Sequence, residues 1–573
     1  MPRLVLRRAS DGSGKEEGLL GLRHLLQDEK RSRPHFSQCW VAPNPPSGLK
    51  MLEEYRVGDA SVRLLSDQGG LRLCYHLLPW EYGLSDRLNL LLNQVIDHIV
   101  STTCSNLDLP LEAIREQVQQ IAQAEIRRTA GRLRIDLGSN PEEIGKTVGC
   151  LANVVGRHTI GLGVMEVLLA DHHIEDIFID APAEQNPVHV TLSGLKDNNE
   201  MLRFTTNVIA TDQEVAAFIS RVRFQSGRPF SEAFPTLESD LPGVDARATV
   251  IGPPLSPDGP AVALRRHSSR PWTLLRLMAS GTIDCLAAGL LSFLIDGRST
   301  MLICGPRGSG KTAFLGAVLF EFPPSQRVLA IEDTAELPVR RMQSLGFKVQ
   351  SLLIDQRPGE SNETKAEEAL RVSLRLGESA IVLGEVRGRE AKVLYESMRT
   401  GKAGSSVLGT LHGESAQSVY ERVVHDLGIA KEAFMATDAV LVLGLRRPYG
   451  SQRPVRRLQE LVECRHDGEP GRFRNLLEMD PEGELRNLAD ERSGLISRIA
   501  RSWDMSFDEA LQNIRARADM KAALLETSSK RGDAFLAPEW TTRANLFFWE
   551  RIEKGERDYG KISKDFRLLL AKG

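Results

Sequence analysis

From Ser85 onward apolar residues recur at helical spacing, with Leu88, Leu91, Leu92, Val95 and Ile99 on one face, and this pattern predicts a helix. Leu111, Ile114, Val118 and Ile121 predict a second, so the region reads as a helical subdomain. Around Ile174 the texture changes to short β-type runs, at 177–180, 188–192, 247–252 and 261–266, broken by Pro and Gly turns. An α+β subdomain fits that alternation. Beyond a short polar joint at Ser268 to Pro271, apolar strands alternate with helices: TMLICG (300–305), RVLAIED (327–333), SAIVLGE (379–385), SVLGTLH (406–412) and DAVLVLGL (438–445). Such alternation is the signature of an α/β fold, a mainly parallel sheet covered by helices. After about Gly468 the chain becomes charged and helical, and Ser506 to Glu509 reads as a capping box opening a helix that presents Ala510 and Ile514. Residues 1 to about 50 hold Pro34, Pro43, Pro45 and Pro46 with little periodicity and read as a disordered tail.

Composition narrows the function classes. The 573 residues are 41% hydrophobic and 26% charged, which fits a soluble globular chain of several domains. Lys+Arg 73 against Asp+Glu 76 leaves a net charge of -3, so no global field draws the chain to nucleic acid or anionic lipid. The longest apolar stretches, such as Ala287 to Ile295, fall short of the roughly 18–20 residues that span a bilayer, and no signal-peptide pattern opens the chain, so a cytoplasmic protein is expected. Seven scattered cysteines without a CxxC pair support neither a disulfide framework nor a zinc site.

The sharpest chemical signal is Gly305-Pro306-Arg307-Gly308-Ser309-Gly310-Lys311-Thr312, a full match to the phosphate-binding pattern GxxxxGK[ST]. Its glycines let backbone N–H groups face a polyphosphate, the following helix directs its positive end there, Lys311 reaches the β and γ phosphates, and Thr312 ligates Mg²⁺. ATP and Mg²⁺ are therefore the expected ligands. Glu385 ends an apolar strand in the manner of a Walker B acid, where a carboxylate beside the P-loop strand can hold the Mg²⁺ hydration shell or polarise the attacking water. Between these segments, Glu332, Asp333 and Glu336 crowd another strand end. His412 ends a further strand, where it can touch the γ-phosphate or relay its presence, because ligands of open α/β sheets gather at the carboxyl ends of strands.

Taken in order, the P-loop, Ile331 to Glu336, Leu383 to Gly388 and Thr410 to His412 are similar to the Walker A, Asp box, Walker B and His box of the secretion ATPase superfamily, which serves type II and type IV secretion, type IV pili and the archaellum. The resemblance covers roughly residues 55–464. It looks closest to the archaeal branch, through Ile174-Glu175-Asp176-Ile177, Pro187 to Val190, Leu241-Pro242 before Arg247, and Leu264-Arg265. It departs from that branch at Gly377-Glu378-Ser379, at Met398 to Lys402 and at Gly413.

Together the pattern and the resemblance give a helical N-terminal subdomain (51–160), an α+β, PAS-like subdomain (161–267), a linker (268–273) and a RecA-like ATPase domain (274–468), while the tail (1–50) and a helical extension (469–573) fall outside the resemblance. It further implies Glu332 as general base, Glu385 as the Walker B acid and metal partner, and His412 as sensor. Arg247 and Arg265 correspond to arginines that reach a γ-phosphate, a task that suits the fixed charge and forked donors of Arg. A homo-hexamer docked on a polytopic membrane platform protein of a pilus or secretion system is implied, at the inner face of the cell membrane and without specific nucleic acid. A nucleic-acid translocase or recombinase on the same fold would instead carry a basic, aromatic-rich surface, whereas aromatics are only 6% and basic runs are short pairs such as Arg265-Arg266 and Arg446-Arg447. A non-hydrolysing nucleotide-binding scaffold is the other alternative, against which Lys311, Thr312, Glu332 and Glu385 are all retained.

Overall fold

The computed structural model describes residues 31–572, apart from 103–110, 194–201, 242–243, 245, 267–269, 355–361, 378, 389, 400–405, 451–453 and 465–469. Most of the expected tail, and Thr400 to Lys402 of the motif departures, therefore lie outside the described residues. The described residues form two compact units, the first ending before 267 and the second following it.

The first unit holds β1 (Cys39–Val41), β2 (Lys50–Val57), β3 (Ala60–Ser66), β4 (Leu73–Leu78), β5 (Ile174–Ile179), β6 (His189–Leu192), β7 (Leu202–Thr206), β8 (Val208–Ala210), β9 (Thr236–Leu241), β10 (Ala246–Ile251) and β11 (Ala261–Arg266). Nine of these form one sheet in the order β2-β3-β4-β7-β6-β5-β11-β10-β9, while β1 pairs antiparallel with β8. Three helices, α1 (Asp86–Thr102), α2 (Leu111–Leu133) and α3 (Pro141–Thr159), pack a separate core through Leu91, Val95, Ile126, Leu151 and Val155. Asn140 caps α3 by accepting from the Glu143 N–H, and Pro141 follows at the first turn, where its missing donor costs nothing.

Two expectations change here. Residues 31–50 are not a tail throughout, because β1 buries Cys39 and Val41, and Ser37 Oγ and Tyr82 Oη lie 2.7 Å apart in a buried hydrogen bond. The region from residue 51 opens not with helix but with the antiparallel run β2-β3-β4, in which β3 alternately buries Ala60, Val62 and Leu64. Strand alternation, with a bulge between Met51 and Glu53, overrides the helical texture that follows.

In the second unit β12 (Met301–Cys304), β13 (Arg327–Glu332), β14 (Lys348–Leu353), β15 (Ala380–Leu383), β16 (Val407–Leu411), β17 (Ala439–Arg446), β18 (Val455–Cys464), β19 (Phe473–Met479) and β20 (Leu485–Asn487) form a sheet ordered β14-β13-β15-β16-β12-β17-β18-β19-β20. Pairing is parallel from β14 to β17 and antiparallel from there to β20. Along β12, Met301 and Ile303 enter one hydrophobic core and Leu302 and Cys304 the other, so both faces of the sheet are covered. The segment after 468 is therefore not helical from its start, since β19 and β20 extend this sheet and bury Leu476 and Leu477.

Helices α4 (Cys285–Asp296) and α5 (Lys311–Leu319) lie against C-terminal helices α6 (Gly494–Ser502), α7 (Phe507–Arg531), α8 (Pro538–Glu553) and α9 (Tyr559–Lys572), all sharing one core. The Ser506–Glu509 capping box opens α7 as the sequence predicts. Where α4 meets α7 the approach is backbone to backbone: a side chain at Gly289 would stand 2.5 Å from the Ile514 carbonyl oxygen. Buried Lys521 of α7 donates to Glu321, just past the end of α5, at 2.8 Å, and Asn545 of α8 donates to the same carboxylate oxygen at 3.0 Å.

Candidate functional site

The loop between β12 and α5 carries the phosphate-binding pattern. Gly308 and Gly310 adopt φ of +78° and +89°, conformations that L side chains rarely take, and a side chain at Gly305 would stand 2.6 Å from the Leu443 carbonyl of β17. Ser309 Oγ donates to the Pro306 carbonyl at 2.9 Å, and Arg456 Nε, from the start of β18, donates to the Gly308 carbonyl at 3.0 Å. The loop is thus shaped by its glycines and braced from a neighbouring strand. Arg307 is exposed, and Thr312 sits at the second position of α5, one residue after the lysine.

Lys311 Nζ donates to the carbonyls of Gly305 and Pro306, each at 3.1 Å, and lies 3.3 Å from His412 Nδ1. His412 Nε2 in turn lies 3.3 Å from Glu385 Oε1. Since Nδ1 faces an ammonium donor, it acts as the acceptor and Nε2 carries the proton toward the carboxylate. Burial lowers the lysine's pKa against the opposing pull of Glu385. Burial and the Lys311 charge together lower that of His412, which favours the neutral ring.

Glu385 follows the end of β15, and β16 with His412 stands between β15 and the P-loop strand β12. The acid is thus one strand farther from the P-loop than the sequence expectation placed it, with the histidine bridging the gap. Burial alone would raise its carboxyl, but the Arg387 hydrogen bond and charge, with His412 and Lys311, hold it below its ordinary value. Arg387 pairs with Glu385 and lies 3.5 Å from Asp333. Sequence reasoning missed this arginine; its signal was a cation two residues past a strand-end acid.

Glu332 ends β13 and is only 2% exposed. Its Oε1 accepts the backbone N–H groups of Glu336 at 2.9 Å and Leu337 at 2.8 Å, while its buried Oε2 has no hydrogen-bond partner. Burial, reinforced by the Glu336 and Asp333 charges and opposed by those two N–H donors, pushes its pKa up to about 7. A side chain at Gly384 would lie 3.3 Å from Glu332 Cγ, so this glycine is what lets the two acidic strand ends sit together.

The sequence-predicted residues Gly305 to Thr312, His412, Glu385 and Glu332 therefore gather at one carboxyl edge of a parallel sheet. Arg247 and Arg265 belong to the first unit, where they face each other across β10 and β11. Asp240 and Asp176 occupy the outer register positions of that row, and Arg247 pairs with Glu238. Mg²⁺ and a polyphosphate fit the second-unit donor set. The loop's left-handed glycines open backbone donors to an anion, Lys311 adds positive charge, Thr312 and the ionised Glu385 are oxygen ligands suited to a hard cation, and Glu332 keeps an unpartnered buried oxygen.

Several known proteins are similar to this chain. An uncharacterized protein of Methanocaldococcus jannaschii is 28% identical over 278 residues, 48% of this chain and 47% of that protein, so the chain spans about half of that relative's length. A putative conjugal transfer protein of Mycobacterium tuberculosis is 29% identical over 280 residues, 48% of this chain and 75% of its own. The type IV secretion system protein PtlH of Bordetella pertussis is 26% identical over 40% of this chain and 71% of its own length. The crystal structure of the VirB11 ATPase from the Brucella suis type IV secretion system, in complex with sulphate, matches 53% of this chain and 96% of that chain at 19% identity and a TM-score of 0.25. Residues 158–518, well over half of the sequence, match the type II/IV secretion system protein family, and the chain belongs to that family.

Proposed function

We propose that this chain is the ATP-hydrolysing motor of a type II/IV secretion or type IV pilus-like system, acting as a homo-hexamer docked on a polytopic membrane platform protein at the inner face of the cell membrane. The observation that carries the reading is the connected edge Lys311–His412–Glu385, with Glu332 buried beside it. Among the described residues no single helix is long and apolar enough to cross a membrane, which fits peripheral docking.

Thr312 and Glu385 are the residues that would hold Mg²⁺, which when bound offsets phosphate charge. Lys311 supplies a fixed cation to the phosphates, and the N–H groups of the loop orient them. Glu332 is the general base: a carboxyl with a pKa of about 7 is about half ionised at neutral pH, and that ionised form is basic enough to take a proton from water. Its Oε1 is anchored by two N–H donors, which leaves Oε2 for the proton. Glu385, held ionised by Arg387, suits a metal partner rather than a base. His412 links the lysine to that acid, so a change at the lysine is felt at Glu385 through one neutral imidazole. Arg247 and Arg265 add the positive charge that phosphoryl transfer needs beyond one lysine and one metal ion.

The test is Mg²⁺-dependent ATP hydrolysis by the purified full chain and its Lys311→Ala variant. Turnover should be present in the first and lost in the second with the fold intact, because Lys311 is a partly exposed residue in the first turn of α5, at the sheet edge. Wild-type turnover in the variant would overturn the enzyme reading.

A further inference from the structure

The hairpin formed by β17 and β18 flanks the phosphate loop on the side away from His412 and Glu385. Those two residues mark the side of the terminal phosphate, so the rest of a bound nucleotide must run toward the opposite flank. β17 is built to meet it. Its register with β12 ends at Cys304 opposite Val442, and Leu443 to Arg446 continue past the sheet edge, an overhang of roughly 13 Å. That reach is of the order of the distance from phosphates to base in a nucleotide. The overhang meets the loop at two points: the Leu443 carbonyl closes on Gly305, and the cross-strand pair Leu445 and Arg456 meets it at Gly308.

The tip of this hairpin carries Tyr449, fully exposed, with φ of +52°, a conformation a bulky side chain rarely takes. The tip is also braced. Arg446 donates to the carbonyls of Asp480 at 3.3 Å and Pro481 at 3.1 Å in the turn between β19 and β20, and Arg447 donates to the Gly450 carbonyl at 3.2 Å. The pair Arg446-Arg447, which gave no account of itself in the sequence, thus ties down the backbone on either side of an exposed aromatic ring just beyond the strand that meets the phosphate loop. An aromatic face presented in that way is a stacking platform for a heteroaromatic base.

We propose that the β17–β18 hairpin is the base-side wall of the nucleotide site, with Tyr449 stacking on the purine ring and Arg456 positioning the hairpin against the phosphate loop. This rests on the phosphate-loop reading and assigns the part of the nucleotide that the P-loop motif leaves unassigned.

The test is calorimetric titration of the full chain with Mg²⁺ and either ADP or inorganic tripolyphosphate, which shares the phosphate chemistry and lacks a base. Tyr449→Ala should weaken ADP by about tenfold or more and leave tripolyphosphate unchanged, while Tyr449→Phe keeps ADP affinity because the ring face is retained. Equal loss for both ligands, no loss for either, or loss of ADP in Tyr449→Phe would overturn the stacking assignment. Lys311→Ala should weaken both ligands. If it weakened neither, the phosphate-loop reading itself would fall, whatever Tyr449 does.

Discussion

Glu332→Gln separates the chemistry of this acid from its structural role in a single substitution. The amide keeps an oxygen to accept the Glu336 and Leu337 N–H groups, so the local backbone is held, but it cannot take a proton. Raising a carboxyl from 4.5 to about 7 on folding means the native state holds a proton that the unfolded chain releases across that window. Stability therefore falls as pH rises from 4.5 to about 7, and above that the loss levels off at roughly 3 kcal/mol, at 1.36 kcal/mol per tenfold change. The glutamine variant has no such term, so its stability advantage over wild type should widen by about 2–3 kcal/mol between pH 5 and pH 8. For a unit of this size that is a few degrees in Tm, measurable by scanning calorimetry at the two pH values. Turnover should change in the opposite sense. Wild-type kcat should climb through an apparent pKa near 7 as the base ionises, and the variant should bind ATP and Mg²⁺ normally while hydrolysing at least about a hundredfold more slowly. A variant whose stability gap did not change with pH would refute the buried-acid argument. One that lost Mg²⁺ affinity and kept its rate would exchange the roles of Glu332 and Glu385.

Replacing either Arg247 or Arg265 by Ala should cut turnover by a factor on the order of a hundred while nucleotide binding is nearly kept, read by steady-state ATPase assay beside titration with ADP. Lys521→Met removes one partner of a fully buried pair and leaves the Glu321 carboxylate with Asn545 as its hydrogen-bond donor; denaturant unfolding should show a loss of about 3–5 kcal/mol, mostly restored when Glu321→Gln is added.

The P-loop and the strand-end acids were legible because each is a local pattern, an apolar run followed by a chemically unusual residue. The order of the strands was not. Parallel strands buried on both faces all read as similar apolar runs, so nothing in the sequence tells that β16 stands between β15 and β12, and hence that His412 bridges Lys311 to Glu385. Strand β1 escaped notice because three residues are too short to show alternation, and its pairing partner β8 lies about 170 residues further along the chain. The Lys521–Glu321 pair joins residues 200 apart, and taken singly each reads as a solvated charge on a helix. Arg387 was in view but unremarked, since its role depends on two carboxylates supplied by different strand ends.

The crossing of α4 and α7 has a bearing on ancestry. With the Ile514 carbonyl 2.5 Å from where a Cβ at position 289 would stand, and the Ala518 side chain 2.8 Å from it, any larger residue there must push the two helices apart. Glycine at this position is therefore a signature of the C-terminal helices rather than of catalysis. Homologues that keep this helix crossing should keep glycine here, and a larger residue at the position would mark a chain in which the two helices stand farther apart.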